Sequence, residues 1–286
     1  MNALHLILIF SCFLTACTTP TETRTLYWPS GSLMEETLYV DGRANGPHKS
    51  YYKSGSLKVQ SSYINSKFHG PYRAFYENGS AYKVETYDNG FLIGEAVTYC
   101  EDGQIKEQAV FVQGKRDGET ESYYQCSGKI KASATYTLGV IQSKRIFYQS
   151  GKPKEQLVYK NGKLDGQCLT FHDNGNIKTE RLYQAGQYQG ENVEYYWDGS
   201  LKDKSNYENG LLVGQSKQFY ENGRLRQVTD YQNGRKNGLR KKYSESGKLW
   251  LQESYKDDKL DGKTQRYGRS GQVIETRVYS AGERIR

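Results

Sequence analysis

The sequence predicts an all-β protein, an elongated and twisted antiparallel β-meander built from about ten two-stranded repeats of 24 residues. Two periodic series of residues lead to this prediction. Aromatic residues recur every 24 positions from position 27 to position 267, and glycines keep the same interval from Gly31 to Gly271 apart from one slip. The stretch FYENG accordingly occurs twice, starting at Phe75 and at Phe219, which are six periods apart.

Turn residues divide each repeat into two strands. Asn-Gly pairs stand at positions 78–79, 89–90, 209–210 and 222–223, among others, and Asp-Gly replaces them at 198–199. Such pairs suit the type I′ hairpin turn, which needs positive φ at both central residues. The second turn of each repeat, as in 233–238, has a second glycine and predicts a loop of four to five residues. Because six to eight residues rich in Tyr, Val, Thr and Leu lie between turns, we expect some 20 short strands.

The composition predicts a thin sheet without a large aliphatic core. Only 36% of the residues are hydrophobic, and 26 residues are Tyr. We therefore expect aromatic side chains to hold neighbouring repeats together, because cross-strand aromatic pairs stabilise sheets. In particular, Phe219, Tyr243 and Tyr267 share one position of the repeat and are expected to pack on their counterparts two strands away.

One repeat departs from the period. Gly103 and Gly128 are 25 residues apart, whereas Gly128 and Gly151 are 23 apart, so the slip is confined to about residues 124–146. Ser143 also stands where other repeats have the late glycine of the second turn. A one-residue slip would reverse the faces of a strand. Two interpretations stay open, neutral drift in a redundant repeat and a bend that shapes a concave surface.

The cysteines of the repeat region are interpreted as small apolar strand residues. Cys100, Cys126 and Cys168 are odd in number and show no CxxC spacing, so the sequence contains no zinc or redox signature. A β-bulge near Cys126 to Gly128 is expected to absorb the slip of the period.

The N-terminus reads as a secretion signal. Residues 4–14 form an apolar run of 11 residues, too short to span a bilayer, and LTAC follows at 14–17. This pattern resembles a bacterial lipobox, which implies cleavage after residues 1–16 and lipidation of Cys17. Position 18 is Thr rather than Asp, which indicates the outer membrane, facing the periplasm. A plain signal peptide is the alternative, because no Lys or Arg precedes the apolar run.

The sequence thus divides into three parts. Residues 1–16 form the predicted lipoprotein signal peptide, residues 17–26 a short linker after the lipidated cysteine, and residues 27–286 a single repeat domain.

The sequence gives no sign of an enzyme, a cofactor or a metal. The motifs GxSxG, HExxH, GxxxxGK[ST] and GxGxxG are missing from the sequence, and His48, His69 and His172 occupy different positions of the repeat. Catalysis requires acid, base or nucleophile groups that converge. We therefore expect a protein that binds rather than one that catalyses a reaction.

Positive charge is concentrated at the C-terminal end. Residues 215–286 contain 17 basic and 9 acidic residues, whereas residues 17–214 contain 23 of each. The densest run consists of Arg235, Lys236, Arg240, Lys241 and Lys242, the candidate partner-binding residues. They are interpreted either as solvated strand residues or as a patch for an acidic protein, lipid phosphates or lipopolysaccharide. Nucleic acid is disfavoured because the chain carries an export signal.

The repeat resembles a known family. The segments FYENGSAYKVETYDNGFLIG (75–94) and FYENGRLRQVTDYQNGRKNG (219–238) resemble the MORN-repeat variant of bacterial YwqK-family antitoxin proteins, over most of residues 27–286. The resemblance implies a non-enzymatic binding protein. Some exported members of that family are immunity proteins that neutralise antibacterial effectors, including lipases that attack membranes.

Two functions follow as expectations. The first is a lipid-anchored immunity protein of the cell envelope, which binds a toxic effector encoded nearby. The second is an envelope scaffold that binds proteins or anionic lipid or polysaccharide through its basic C-terminal repeats. The open edges of the predicted sheet also allow a homodimer.

Overall fold

The computed structural model describes residues 20–286, which form one antiparallel sheet of 26 strands. The predicted signal peptide and Cys17 lie outside the described residues. Each strand of the meander pairs with strands adjacent to it in the chain. The described part of the chain contains only strands, turns and bends, and it has no helix with the length and hydropathy needed to cross a membrane. The predicted all-β meander is confirmed.

The first half of the sheet consists of β1 Thr21–Tyr27, β2 Leu33–Val40, β3 Arg43–Tyr51, β4 Leu57–Ile64, β5 Lys67–Phe68, β6 Gly70–Phe75, β7 Ala81–Asp88, β8 Phe91–Tyr99, β9 Ile105–Val112, β10 Lys115–Tyr123, β11 Ile130–Thr137, β12 Val140–Phe147 and β13 Pro153–Lys160. The second half consists of β14 Lys163–Leu164, β15 Gly166–Phe171, β16 Ile177–Gln184, β17 Gln187–Tyr188, β18 Gly190–Tyr195, β19 Leu201–Glu208, β20 Leu211–Phe219, β21 Leu225–Gln232, β22 Arg235–Tyr243, β23 Leu249–Lys256, β24 Lys259–Tyr267, β25 Val273–Ser280 and β26 Glu283–Arg284.

Two observations account for most of the excess over the expected 20 strands. In three repeats the second strand is divided into a short and a longer piece; the pieces are β5 and β6, β14 and β15, and β17 and β18. In addition, residues 21–26, which the sequence analysis assigned to a linker, lie in β1 and pair with β2.

The two turns of a repeat differ in a way that the sequence analysis did not anticipate. The second turn is a two-residue turn in which Asn233 and Gly234 both have positive φ, at 50° and 81°, as type I′ requires. The predicted loop of four to five residues is wrong there, because the late Gly238 lies in a bulge inside β22. The first turn of the repeat, at Tyr220 to Arg224, is the longer one. The Tyr220 amide donates a hydrogen bond of 2.9 Å to the Arg224 carbonyl, four residues on, and only Gly223 between them has positive φ.

The interior of the sheet contains small side chains. The buried apolar residues are Ala44, Ala74, Ala96, Ala109, Ala134, Cys100 and Cys168. Threonine and serine also lie among the buried residues, and Thr229 is the largest side chain that is fully buried. The sheet is therefore thin, as the composition indicated.

Tyrosine hydroxyl groups join neighbouring repeats at six places along the sheet. Six tyrosines at one position of the repeat each donate a hydrogen bond of 2.6–2.8 Å to the backbone carbonyl 23 residues further along the chain; they are Tyr52, Tyr76, Tyr124, Tyr148, Tyr196 and Tyr220. We call them the tyrosine rungs. Because each rung spans from one repeat to its neighbour, the contacts that hold the sheet together are local and repeated.

The stacking expected between Phe219, Tyr243 and Tyr267 is not found among the described residues. Ring contacts occur instead at other positions of the repeat, where Tyr188 lies 4.9 Å from Tyr183 and 5.2 Å from Tyr207, centroid to centroid. The carbonyls of Phe219 and Tyr243 accept bonds from the rungs. The aromatic series that runs from position 27 to position 267 therefore contributes mainly backbone hydrogen-bond acceptors.

The slip of the period is absorbed in two places. The turn after β10 holds one extra residue, because the Tyr124 amide bonds to the carbonyl of Lys129, five residues on, with Cys126 at positive φ. The compensating deletion lies in β12, where Ser143 pairs directly with Thr135. The extra residue lies near Cys126 as expected, but an enlarged turn holds it rather than the predicted β-bulge, and Ser143 is an ordinary ladder residue rather than a substitute for the late glycine.

Candidate functional site

Cys100 and Cys126 form a disulfide, which corrects their interpretation as small strand residues. Their Cα atoms are 5.8 Å apart, within the usual range for a disulfide. Cys100 occupies the position of a tyrosine rung, and Cys126 lies in the enlarged turn of the following repeat. The disulfide therefore joins neighbouring repeats where a rung is missing. Asp102 lies beside the two sulfurs, but the bond between them leaves neither as a thiolate ligand for a metal.

Cys168 matches its predicted role. It is buried in β15, and burial raises the pKa of its thiol. A raised pKa keeps the thiol neutral and unreactive.

The candidate basic residues of β22 lie on one strand but not on one face. Arg240 and Lys242 share a face, because alternate residues of a strand point the same way. Arg240 is largely buried and forms an ion pair with Glu253, and its guanidinium lies 5.0 Å from the Tyr255 ring centroid. The Lys236 ammonium is 5.3 Å from the same ring.

The remaining two candidates lie elsewhere. Lys241 belongs to the opposite face, where it lines a shallow cavity of about 300 Å³ with Lys217 and Tyr243. Arg235 is exposed at the start of β22. The structure therefore does not bring the five residues together as a single charged patch.

The three histidines are separate and each has a structural partner. The His48 ring nitrogen lies 2.8 Å from the Thr37 hydroxyl, and burial lowers the pKa of His48 below its ordinary value despite the nearby carboxylate of Glu35. His69 lies 3.3 Å from Asp88, and His172 lies 3.1 Å from the Tyr195 carbonyl in place of a tyrosine rung. Each ring is thus held by a different repeat.

A row of basic residues that the sequence analysis missed lies at the β-bulges of the sheet. In β13, for example, Pro153 pairs with Phe147 and Glu155 pairs with Ile146, so that Lys154 has no partner in the ladder. The same bulge recurs in eleven pairs of strands along the sheet, from β1 and β2 to β24 and β25. Its unpaired residue is basic in seven of these pairs, namely Lys58, Lys106, Lys131, Lys154, Lys178, Lys202 and Arg226, and it is Met34, Tyr82, Trp250 or Ile274 in the other four. We call these seven residues the bulge row.

The bulge row is exposed and poorly neutralised. All of its members are exposed except Lys202, which is half-buried and forms the row's only ion pair within residues 20–286, at 2.7 Å from Glu194. Four members lie over the ring of the preceding tyrosine rung at 5.5–5.8 Å from its centroid, as Lys154 does over Tyr148. The rung thus supports the charged side chain.

The sequence contains a signal for this row. Its members stand 24 residues apart, with a shift of one residue at Lys131. Lys58 and Lys106 are 48 residues apart, because Tyr82 occupies the equivalent position of the repeat between them. The signal is a basic residue at the same position of successive repeats, whereas the basic residues of β22 stand out because they are close together in the sequence.

Comparison with known proteins gives one informative match. No curated protein matches the chain. A crystal structure of TcdB2-TccC3-TEV covers 90% of this chain at 12% identity, and a Photorhabdus luminescens Tc holotoxin pore covers 92% at 10% identity, each with a TM-score of 0.19. The chain spans 17% of the length of either protein, and likeness at this level supports no conclusion.

The informative match concerns the repeat itself. The family model described as the MORN repeat variant matches residues 44–65, 144–161, 164–185, 212–233 and 236–257. Each matched segment begins in the second strand of one repeat and ends in or just after the first strand of the next. Five segments of this chain therefore match the MORN repeat variant, and the repeats between them have the same strand and turn pattern apart from the slip around residues 124–146.

Proposed function

We propose that this chain is a non-enzymatic, lipid-anchored protein of the cell envelope that neutralises an antibacterial effector by binding it. The effector would dock along the sheet, across several repeats, and would be blocked rather than consumed. The anchor would be Cys17, and the proposed place is the outer membrane, facing the periplasm.

The observation that supports binding most strongly is the open repeat sheet. Equivalent side chains recur in rows on a surface of 26 strands, which suits contact with one large partner at many points. MORN repeats are consistent with a binding role, although a repeat scaffold does not itself define the partner.

Exposed tryptophans are the best candidates for anchors of the interface. Trp197 is 55% exposed and Trp250 is 40% exposed. Trp197 lies in the turn between β18 and β19, where the side-chain amides of Asn174 and Asn176 donate hydrogen bonds to its carbonyl at 2.7 and 3.0 Å. Tryptophan is enriched among residues that dominate binding energy, and a turn fixed in this way presents the ring without a large ordering cost.

The alternative of a scaffold that uses the basic C-terminal repeats has less support. It was motivated by the charge of β22, but Lys241 lies on the face opposite Arg240, and Arg240 is paired with Glu253. We therefore prefer the immunity function.

Co-expression with the product of the adjacent gene, exported to the periplasm, tests the proposal. The intact protein should restore growth, whereas Trp197→Ala and Trp250→Ala should protect less and bind the effector more weakly in a pull-down. Phe91→Ala is the matched control, because Phe91 is an equally exposed aromatic residue, at 56%, beside the other type of turn at the opposite long edge of the sheet.

Cys17→Ser separates anchoring from binding. This variant should still bind the effector in solution but should protect cells less. A neighbouring product that is harmless in the periplasm, or toxicity that persists beside the folded protein, would remove the support for an immunity function.

A further inference from the structure

We propose that the bulge row binds a linear anionic polysaccharide that carries one acidic group for every two sugars. The proposal concerns a second site, and it goes beyond binding of an effector. It rests on the position of the row in the backbone, on its spacing, and on its unneutralised charge.

The backbone directs these side chains outward. A β-bulge places two residues of one strand against one residue of its partner and redirects the extra side chain. Lys106, for example, lies between Ile105, which pairs with Tyr99, and Glu107, which pairs with Thr98. A bulge that recurs in each repeat thus places one basic residue per repeat where the ladder does not use it.

The rungs position four of the seven members of the row, namely Lys58, Lys154, Lys202 and Arg226. The Tyr148 hydroxyl is fixed at 2.8 Å from the Phe171 carbonyl, and the Lys154 ammonium lies 5.7 Å from the centroid of the same ring. Arg226 lies over Tyr220 in the same manner. Since these four charged groups lie over fixed rings before a ligand arrives, less side-chain entropy is lost at their positions when it binds.

The spacing selects a sparsely charged polymer. Equivalent residues of successive repeats are two strands apart, which is about 10 Å. In an extended polysaccharide of alternating acidic and neutral sugars, carboxylates recur once per disaccharide, at a similar interval. Phosphates along one strand of duplex DNA recur every ~3.4 Å, so most of them would have no partner in the row.

Six members of the row form an uninterrupted series. They run from Lys106 to Arg226, one per repeat, whereas Tyr82 separates Lys58 from them. Five intervals give a track of about 50 Å. A ligand that follows this track should therefore bind more tightly with each added disaccharide, up to about six.

The twist of the sheet disfavours a flat anionic surface. Neighbouring strands rotate by about 20–25°, so successive members of the row turn away from a common plane. A flexible polymer can follow such a path, whereas a lipid bilayer would contact only a few members at once.

Charge in the row is available for binding. Lys106, Lys131, Lys154 and Lys178 are exposed and make no ion pair with the described carboxylates. At about 0.1 M salt the Debye length is ~10 Å, close to the interval of the row, so each member acts as a nearly separate positive site.

Hyaluronate, which has one carboxylate per disaccharide, is the probe for the test. The full chain should bind it with an affinity that falls as salt rises and that increases with oligosaccharide length to about six disaccharides. Duplex DNA and vesicles of anionic phospholipid are the comparison ligands, to be measured at the same salt concentration.

A matched pair of variants localises the binding. Lys106→Gln, Lys131→Gln, Lys154→Gln and Lys178→Gln together should lower hyaluronate affinity by at least about tenfold, because four contacts are removed. The control variant carries Lys67→Gln, Lys115→Gln, Lys163→Gln and Lys259→Gln, which removes the same charge from exposed lysines beside the type I′ turns. It should lower the affinity less than about twofold, because long-range attraction alone is weakened.

Three results would overturn the proposal. They are equal losses in the two variants, affinity that does not change with oligosaccharide length, and row-dependent binding of DNA or vesicles in the absence of hyaluronate binding. Protection against an effector is measured separately, so failure here leaves the proposed immunity function untouched.

Discussion

The repeat that contains the slip and a regular repeat near the C-terminus differ in the contact that joins them to a neighbouring repeat and in the bulge of the second strand. In the regular repeat, the Tyr220 hydroxyl bonds to the Tyr243 carbonyl, and the late Gly238 occupies a bulge with φ of 119°. Around the slip, Cys100 takes the place of a rung and forms a disulfide with Cys126. Gln142 and Ser143 lie where other repeats have the bulge with the late glycine, and neither has positive φ.

The comparison shows that errors of period are corrected locally. One residue is gained in the turn that holds Cys126 and one is lost before Ser143, so that Phe147 returns to the expected phase. Because each repeat contacts only its neighbours, the strands on either side need not adjust. The four predictions that follow test the devices that differ between the two repeats, from the largest expected effect to the smallest.

Removal of the disulfide should have the largest effect. Cys100→Ser should destabilise the protein by ~3 kcal/mol, since the disulfide closes a loop of about 26 residues in the unfolded chain. Denaturant unfolding with and without reductant measures this loss. Reductant should lower the midpoint of the wild type and leave that of the variant unchanged. A wild-type midpoint that ignores reductant would show that Cys100 does not act through a disulfide.

Substitution of the late glycine should have the next largest effect. In Gly238→Ala, the new Cβ would lie 2.8 Å from the Asp230 Cβ, at a φ that side chains disfavour, so a loss of ~2 kcal/mol is expected. Gln142→Ala is the matched change in the slip repeat and should cost less than ~0.5 kcal/mol, because Gln142 has no positive φ and makes no such approach. Thermal unfolding of both variants compares the two turns, and equal shifts in Tm would contradict the difference described above.

Removal of a single rung should have a smaller effect. Tyr196→Phe removes the 2.8 Å hydrogen bond to the Phe219 carbonyl and should cost ~1 kcal/mol. Tyr243→Phe is the control, because the Tyr243 hydroxyl makes no hydrogen bond within residues 20–286. If the two variants unfold at the same denaturant concentration, the rungs do not stabilise the sheet.

High pH should destabilise the protein through Tyr123 in β10, beside the slip, and through Tyr183 in the regular strand β16. Burial and a hydrogen bond to Glu121 raise the pKa of Tyr123 to about 12, and burial with a neighbouring Tyr188 hydroxyl raises that of Tyr183 to about 12. The unfolded chain releases these protons at pH near 10, before the folded protein does. The stability they contribute is therefore complete below pH 10 and is lost as pH rises towards 12.

Titration of tyrosinate absorbance, together with unfolding at each pH, checks this prediction. Tyr123→Phe should remove part of the high-pH transition. Ionisation of all tyrosines at pH 10 in the folded protein would contradict it.

Much of the fold could be predicted because its signals are local. Asn233 and Gly234 adopt the type I′ turn that their conformational preferences favour, although the Asn222–Gly223 pair does not, and the 24-residue period places most of the strands. The bulges could not be predicted, because a single unpaired residue such as Lys154 leaves no mark in the alternation of polar and apolar side chains. The late glycine was assigned to a loop because sequence does not distinguish a bulge from a turn.

Less of the candidate site could be predicted. Cys100 and Cys126 lie in different turns, and their pairing depends on the extra residue that carries Cys126 towards Cys100. The prediction for β22 grouped residues by closeness in sequence, although alternation separates Arg240 from Lys241. Residues 24 positions apart are closer on this surface than many residues of one strand.

The tyrosine rungs also bear on how such a chain can change its length during evolution. Each rung reaches only from one repeat to the next, so a duplication of whole repeats in the gene would add rungs, bulges and turns in phase and disturb no existing neighbour. A duplication of part of a repeat would set the following strands out of phase. The two copies of FYENG, six whole periods apart, have the spacing that growth by entire repeats would leave.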